Sequence, residues 1–253
     1  MYAEERQQEI LRRARASGRV DVVTLAAELD VTTETIRRDL TALERAGVLR
    51  RVHGGAIPVE RLGFEPALAT RDEVMTAEKE RIAKAALAEL PEDGSVIIDA
   101  GTTTGRLVQV LPADRELTVV VNSPPLATVL AARPNLHVIM LGGRVRGKTL
   151  ATVDDWALRP LAYLNVDVAF MATNGCSATR GLTTPDPAEA AIKRAMVKAA
   201  QRSVLLADHT KFGDTYLSTF AELSEIDVVI TDTGLDASLA ADLAAAGPEV
   251  IRA

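Results

Sequence analysis

The run Val31-Thr32-Thr33-Glu34-Thr35-Ile36-Arg37-Arg38-Asp39-Leu40 opens a helix whose two faces differ in kind. Thr32 can accept a hydrogen bond from the free N–H groups of the first turn, and Gly47 is placed to stop the helix after Ala46. At 100° per residue, Ile36, Leu40 and Leu43 form an apolar stripe. Glu34, Arg38, Thr41 and Arg45 lie roughly opposite it, with Arg37 on the flank. Upstream, Ile10, Leu11 and Ala14 share one face of a helix over 4–16, which Ser17-Gly18-Arg19 ends. Leu25, Ala26 and Leu29 mark a second helix over 22–29, and Asp30-Val31 is a tight turn. Downstream, residues 48–52 are β-rich and, with residues 53–57, predict a hairpin whose tip holds Arg50, Arg51 and His53. Three short helices on one seam, followed by a hairpin, make a winged helix-turn-helix. In that geometry the third helix lies in the DNA major groove and the wing touches the backbone or minor groove. A helical-hairpin protein-interaction module with a solvated mixed-charge face fits the same pattern.

The chain has 253 residues, a length that suits two domains of unequal size. Apolar residues at 47% and charged residues at 25% are globular proportions, and 3% aromatics leave little for a stacked single-strand RNA surface. The net charge of −6 speaks against DNA until it is divided along the chain. Residues 1–57 hold ten arginines, no lysine and nine acids, whereas the remainder holds 19 basic and 26 acidic side chains. Salt screens charge within about 8–10 Å, so a DNA-binding surface responds to its own neighbourhood. Cys176 is the single cysteine, which excludes an internal disulfide and a Cys-rich zinc site. The charged N-terminus and short apolar runs lead us to expect a cytoplasmic protein without membrane attachment.

Residues 58–75 show no clear periodicity and are expected to be a linker. From residue 76 onward helices and strands alternate, with strands expected at 95–99, 117–121, 136–141, 166–172, 203–207, 227–231 and 249–252. Runs such as Val96-Ile97-Ile98 and Val228-Val229-Ile230 are continuously apolar, as in strands covered on both faces. The fold class is therefore α/β: the helix-turn-helix domain followed by an open, mostly parallel sheet, which binds ligands beyond the carboxyl ends of its strands. There Asp99-Ala100-Gly101-Thr102-Thr103-Thr104 opens a helix whose free N–H groups and hydroxyls suit a phosphate. Asp99 suits the hydroxyls of the same ligand, so a phosphorylated sugar matches both ends, although a ligand-free capping turn matches the sequence too. Asn122 and Ser123, Gly142, Gly143 and Arg144, Asn174, and Asp208 with Lys211 follow other strands. Lys193 lies one to two turns inside a helix. Convergence of Lys193, Lys211 and Arg144 would suit an anion.

These stretches carry a resemblance. Residues 31–40, Leu43-Glu44-Arg45-Ala46-Gly47 and Arg51-Val52-His53-Gly54-Gly55-Ala56 resemble the DeoR family of bacterial transcription repressors. Asp99-Ala100-Gly101-Thr102-Thr103, Leu141-Gly142-Gly143-Arg144, Ala190-Ala191-Ile192-Lys193 and Ala207-Asp208-His209-Thr210-Lys211-Phe212 resemble that family's effector-sensing domain, which is similar in fold to ribose-5-phosphate isomerases. The resemblance implies operator contacts from Thr33, Thr35, Arg37 and Arg38, with Thr32 and Thr41 on the same helix and Arg51 and His53 on the wing. It implies a phosphorylated sugar as effector. A single half-site burying little surface binds weakly, so at least a homodimer on paired half-sites is expected. His209-Thr210 stands where the family usually has a serine pair. Gly63-Phe64-Glu65-Pro66 is similar to actinobacterial fructose-operon regulators, which points to fructose 1-phosphate.

Two enzymatic alternatives remain at this level. Gly142 to Thr149 fits G-x-x-x-x-G-K-S/T, the phosphate loop of nucleotide-binding proteins. An active sugar-phosphate isomerase would need Asp99 or Asp208 as a proton-moving base. No G-x-G-x-x-G occurs, His53, His137 and His209 lack metal-ligand spacing, and neither a cofactor nor a metal is expected. His137 and Cys176 are expected to be structural.

Overall fold

A computed structural model describes residues 2–17, 19–52, 54–58, 65 and 67–253, without the side chains at positions 15 and 16. The chain forms two compact units, residues 1–66 and 67–253.

In the first unit the helices are α1 (Ala3–Ser17), α2 (Val22–Glu28) and α3 (Thr33–Arg45), and the strands are β1 (Val20–Asp21), β2 (Leu49–Val52) and β3 (Gly55–Pro58). Ile10, Ala14, Leu25, Ile36, Leu40, Leu43 and Leu49 close a small aliphatic core. Asp21 caps α2 by accepting from the N–H groups of Val23 and Thr24, and Thr32 caps α3 by accepting from that of Thr35. Gly47 follows α3 at φ +72°, where glycine alone is unstrained. β1 was not legible in the sequence; it pairs antiparallel with β3, which also pairs with β2. Arg50 and Arg51 lie within β2 and not at the hairpin tip, because pairing runs up to Val52–Gly55. His53 lies outside the described residues, as do Gly18, Gly63, Phe64 and Pro66.

One charged pair sits inside this core. Asp39 is buried on the apolar side of α3, where Arg6 Nε donates to its Oδ2 at 2.6 Å and Arg6 Nη2 to its Oδ1 at 3.3 Å. Gln7 Nε2 adds a bond to Oδ1 at 3.1 Å. The fork of bonds fixes α1 across α3 and so fixes which way the opposite, exposed face of α3 points.

The second unit opens with α4 (Leu68–Asp72), a short helix inside the segment expected to be a linker, and α5 (Thr76–Ala85). Then follow β4 (Gly94–Ile98), α6 (Thr102–Val110), β5 (Leu117–Val121), α7 (Pro124–Ala131), β6 (Leu136–Met140), β7 (Arg144–Val145), β8 (Thr152–Val153) and α8 (Asp155–Leu161). The chain continues through β9 (Val166–Met171), β10 (Gly175–Ser177), β11 (Gly181–Thr184), α9 (Pro187–Ala199) and β12 (Ala200–Leu206). It ends with β13 (Ser218–Ala221), β14 (Val228–Thr231), α10 (Ala237–Ala245) and β15 (Glu249–Arg252). Seven parallel strands form the sheet β15-β14-β12-β9-β4-β5-β6. Alternate strand residues enter opposite cores: Ile97, Ala169, Leu205 and Val229 pack on the side of α8, α9 and α10. Val96, Ile98, Phe170, Val204 and Ile230 pack on the side of α5, α6 and α7. Burial on both faces explains the continuous apolar runs. Cys176 is fully buried in the first of these cores, and burial pushes its thiol up to about 12.

Two smaller sheets leave no periodic trace in the sequence. β10, β11 and β13 form an antiparallel trio, and β7 with β8 forms a ribbon. Strands of two to four residues are too short to show alternation. Residues 152–153 belong to the ribbon and Asp154 turns the chain at φ +74°, so α8 begins only at Asp155.

Arg6→Met is expected to destabilise the protein by about 3–5 kcal/mol, the cost of leaving a buried carboxylate without its cation. Denaturant unfolding of the full chain measures this. A loss under about 1 kcal/mol would show that Asp39 finds water instead.

Candidate functional site

After β4 the chain runs outward through β5 to β6 and then returns to place β9 on the other side of β4. The reversal opens a crevice beyond the carboxyl ends of β4 and β9, where open α/β sheets bind ligands. Asp99 follows β4 there, 1% exposed, its N–H donating to the Phe170 carbonyl of β9 at 3.0 Å. The Ala172 N–H donates to Asp99 Oδ2 at 3.0 Å. Lys193 Nζ donates to the same Oδ2, and to the Ala172 carbonyl at 3.0 Å. Lys193 comes from the middle of α9, is 4% exposed, and stands 5.4 Å from the centre of the Phe220 ring. Asp99 Oδ1 is buried and has no hydrogen-bond partner among the described residues.

The following turn leads into α6. Gly101 has an extended backbone, so its role is room and not rotation: a Cβ there would stand 2.8 Å from the Ala172 Cβ. Thr104 Oγ1 donates to the Asp99 carbonyl at 2.7 Å, consuming one of the three expected hydroxyls. Thr103 is buried and Thr102 half-buried at the helix start, whose first N–H groups have no intrahelical acceptor. Asn122, after β5, accepts from the Ala100 N–H through Oδ1 at 2.8 Å and thereby holds the turn. Ser123 is buried at the start of α7.

On the other flank Asp208 follows β12. Its Oδ1 accepts from the Thr210 N–H at 3.1 Å and from the Thr210 hydroxyl. Its Oδ2 is buried without a partner among the described residues. His209 Nδ1 lies 2.7 Å from Asp232 Oδ1, and the His209 N–H donates to Asp232 Oδ2 at 2.8 Å. That hydrogen bond raises the His209 pKa above its ordinary value, although burial opposes it. Burial works against ionised Asp232 too, but the His209 ring and backbone hold its carboxyl below the ordinary value. Lys79 of α5 is buried nearby and donates to the carbonyls of Arg71 and Val74. Desolvation pushes its ammonium down to about 8, partly offset by Asp208, while Lys211 adds to the shift. Strand-end position was the signal for Asp232, which directly follows β14. No local pattern marked Lys79.

The remaining candidates follow β9 and β6. Asn174 Oδ1 accepts from the Thr184 hydroxyl at 2.9 Å and so links β10 and β11. Arg144 is exposed in β7 and binds Asp154 at 2.7 Å, and Gly142 and Gly143 are exposed beside it. The phosphate-loop match does not form a phosphate loop. Residues 144–153 fold as the β7–β8 ribbon, Thr149 is followed by a strand and not by a helix, and its hydroxyl is spent on Glu189. Arg146 closes this contact, bonding Glu189 at 2.8 Å and Asp186, the N-cap of α9, at 3.2 Å.

In the first unit, Arg37 and Arg38 are exposed on α3. Arg37 lies 3.5 Å from Glu34, whereas the Arg38 side chain makes no hydrogen bond or ion pair among the described residues. Thr33 is half-buried at the start of the helix. The hydroxyls of Thr32 and Thr35 bond each other at 2.9 Å. Arg51 turns back onto α3, donating to Thr41 Oγ1 and to the Arg37 carbonyl, each at 3.3 Å. It thereby braces the helix.

Among the described residues no helix is long and apolar enough to cross a membrane. A family model described as "DeoR-like helix-turn-helix domain" matches residues 6–61, and one described as "DeoR C terminal sensor domain" matches residues 74–233. "HTH-type transcriptional regulator GlpR" of Haloferax volcanii is 38% identical over 99% of this chain and 98% of its own length. "Putative aga operon transcriptional repressor" of Escherichia coli O157:H7 is 31% identical over 98% and 93%. Among solved structures, ribose 5 phosphate isomerase A from Neisseria gonorrhoeae superposes with TM-score 0.40 at 17% identity, over 60% of this chain and 57% of that one. eIF2B beta from Chaetomium thermophilum gives 0.47 at 17% identity, over 90% and 77%. With one family matched in both units and regulators matched along nearly its full length, the chain belongs to the DeoR family of transcriptional regulators.

Proposed function

We propose that this regulator represses a sugar-metabolism operon as a homodimer or higher oligomer and releases its operator when a phosphorylated sugar, with fructose 1-phosphate as the candidate, enters the crevice after β4. Residues 1–57 act as the DNA-binding domain, 58–75 as the linker and 76–253 as the sensor. The observation that carries the reading is Asp99 Oδ1, buried and without a hydrogen-bond partner among the described residues, directly before the phosphate-ready helix start at Thr102; Asp208 Oδ2, after β12, is a second such oxygen. A phosphate takes the N–H groups, and the sugar hydroxyls donate to the carboxylates. The naming of the Escherichia coli O157:H7 relative as a repressor supports the sign of regulation. Lys193 is neutralised by Asp99, so its role is to hold the crevice in shape, leaving the helix start and Lys211 for the anion. The effector acts only by binding one conformation better than the other.

A thermal-shift series of phosphorylated sugars tests the reading. A selective rise in midpoint for one of them, together with loss of its operator gel shift, is the expected result. Absence of both on folded protein would reject it. Arg38→Ala is expected to weaken operator binding by about 1–3 kcal/mol, with an unchanged thermal midpoint because nothing in the described chain leans on Arg38. An unaltered gel shift would remove Arg38 from the DNA face.

Thr102→Val should leave the operator gel shift intact and require more effector for release, whereas an unchanged induction curve would place the phosphate elsewhere. A pH series tests the turn that carries Lys211. A histidine raised by its folded environment contributes stability that is complete below its unfolded value, about 6.5, and is lost as pH rises through the folded value. The stability difference between the wild type and His209→Asn should therefore shrink as the pH rises above about 6.5. A difference independent of pH would mean that the imidazole is neutral throughout.

A further inference from the structure

The chain's single tryptophan is on its outside. α8 turns Ala157 and Leu161 into the core and presents Asp155, Trp156, Arg159 and Pro160 to solvent, with Tyr163 just beyond its end. Trp156 is 81% exposed and Tyr163 88% exposed. A spacing of three residues puts Trp156 and Arg159 on one side of the helix, and Tyr163 follows just past its C-terminal end. Single exposed apolar residues are ordinary. Two rings flanking an arginine are not, in a chain with eight aromatic residues, since Trp, Tyr and Arg are the residue types that anchor protein interfaces.

The charges say which kind of partner fits. Asp155 and Arg159 are 74% and 80% exposed and face each other at 3.4 Å, a loose pair in water worth little where it stands. The face is thus neutral overall and carries both signs one helical turn apart. A polyanion would find no net attraction there, but an antiparallel second copy meets each charge with its opposite. The areas agree as well. At 150–250 Å² per aromatic ring, the two rings offer about 250–400 Å² per copy, a third to a half of the roughly 800 Å² per partner in a standard stable interface.

We propose that the α8 face is where a second copy of this chain docks about a twofold axis, with Trp156 and Tyr163 as its anchors and Asp155 and Arg159 exchanging partners between copies. This deepens the dimer of the proposed function by naming its contact, yet it rests on the exposed face alone and not on operator or effector binding.

Because Trp156 is the only tryptophan, its emission reports this face directly. For the full-length protein, dilution through the association range should move the emission to longer wavelength in step with the change from dimer to monomer in sedimentation velocity. Asp155→Arg and Arg159→Asp should each weaken association about tenfold or more, and the double variant should recover most of that loss. Trp156→Ser, at a solvent-facing position, should sediment as monomer with unchanged circular dichroism. A wild-type monomer at every concentration overturns the proposal. So does a dimer whose tryptophan emission stays that of exposed indole, or one indifferent to all these substitutions, since the copies then meet elsewhere. An operator gel shift on the same preparations keeps the two readings apart: DNA binding without α8 contact overturns only this proposal, and an α8 dimer that ignores operator overturns only the regulatory one.

Discussion

Lys193 and Asp99 meet across 94 positions of sequence, from the middle of α9 and the end of β4, in a place almost closed to water. Neither charge is tolerable there alone, so the pair compels α9 to lie over the point where the sheet reverses its winding. The Ala172 N–H and carbonyl, at the end of β9, complete the arrangement by bonding one to each partner. Three elements are thus locked at the ligand-binding end of the sheet, while one oxygen of Asp99 is left over. Stability and a capacity for recognition come from the same carboxylate.

The first unit uses the same device at smaller scale. Arg6 and Asp39 anchor the inner face of α3, and Arg51 braces it from β2. What remains outward is a rigid helix with Arg37 and Arg38 exposed, which is what positioning on a groove demands.

The large elements were legible because they are long and periodic. The apolar runs marked each strand of the main sheet, and the stripe Ile36, Leu40 and Leu43 marked the third helix. Asp39 stands three residues after Ile36, on that same stripe, so a charge on the buried face was visible, although its partner was not. Partners such as Lys193 for Asp99, or Glu189 for Thr149, depend on tertiary folding and leave no periodic trace. The phosphate-loop spacing at 142–149 misled for a related reason: the motif encodes local composition, whereas its chemistry requires a following helix, and here a two-residue strand follows. His137, expected to be structural, is exposed on β6, the edge strand of the sheet.

The sealed position of Cys176 has a practical corollary. A thiol with no path to solvent, and with its ionisation suppressed by burial, is invisible to oxidants and alkylating agents while the sensor domain is intact. Its modification can begin only when β10 leaves the core, which makes this lone sulfur a built-in clock for opening of the domain and renders the folded regulator indifferent to oxidative stress at that site.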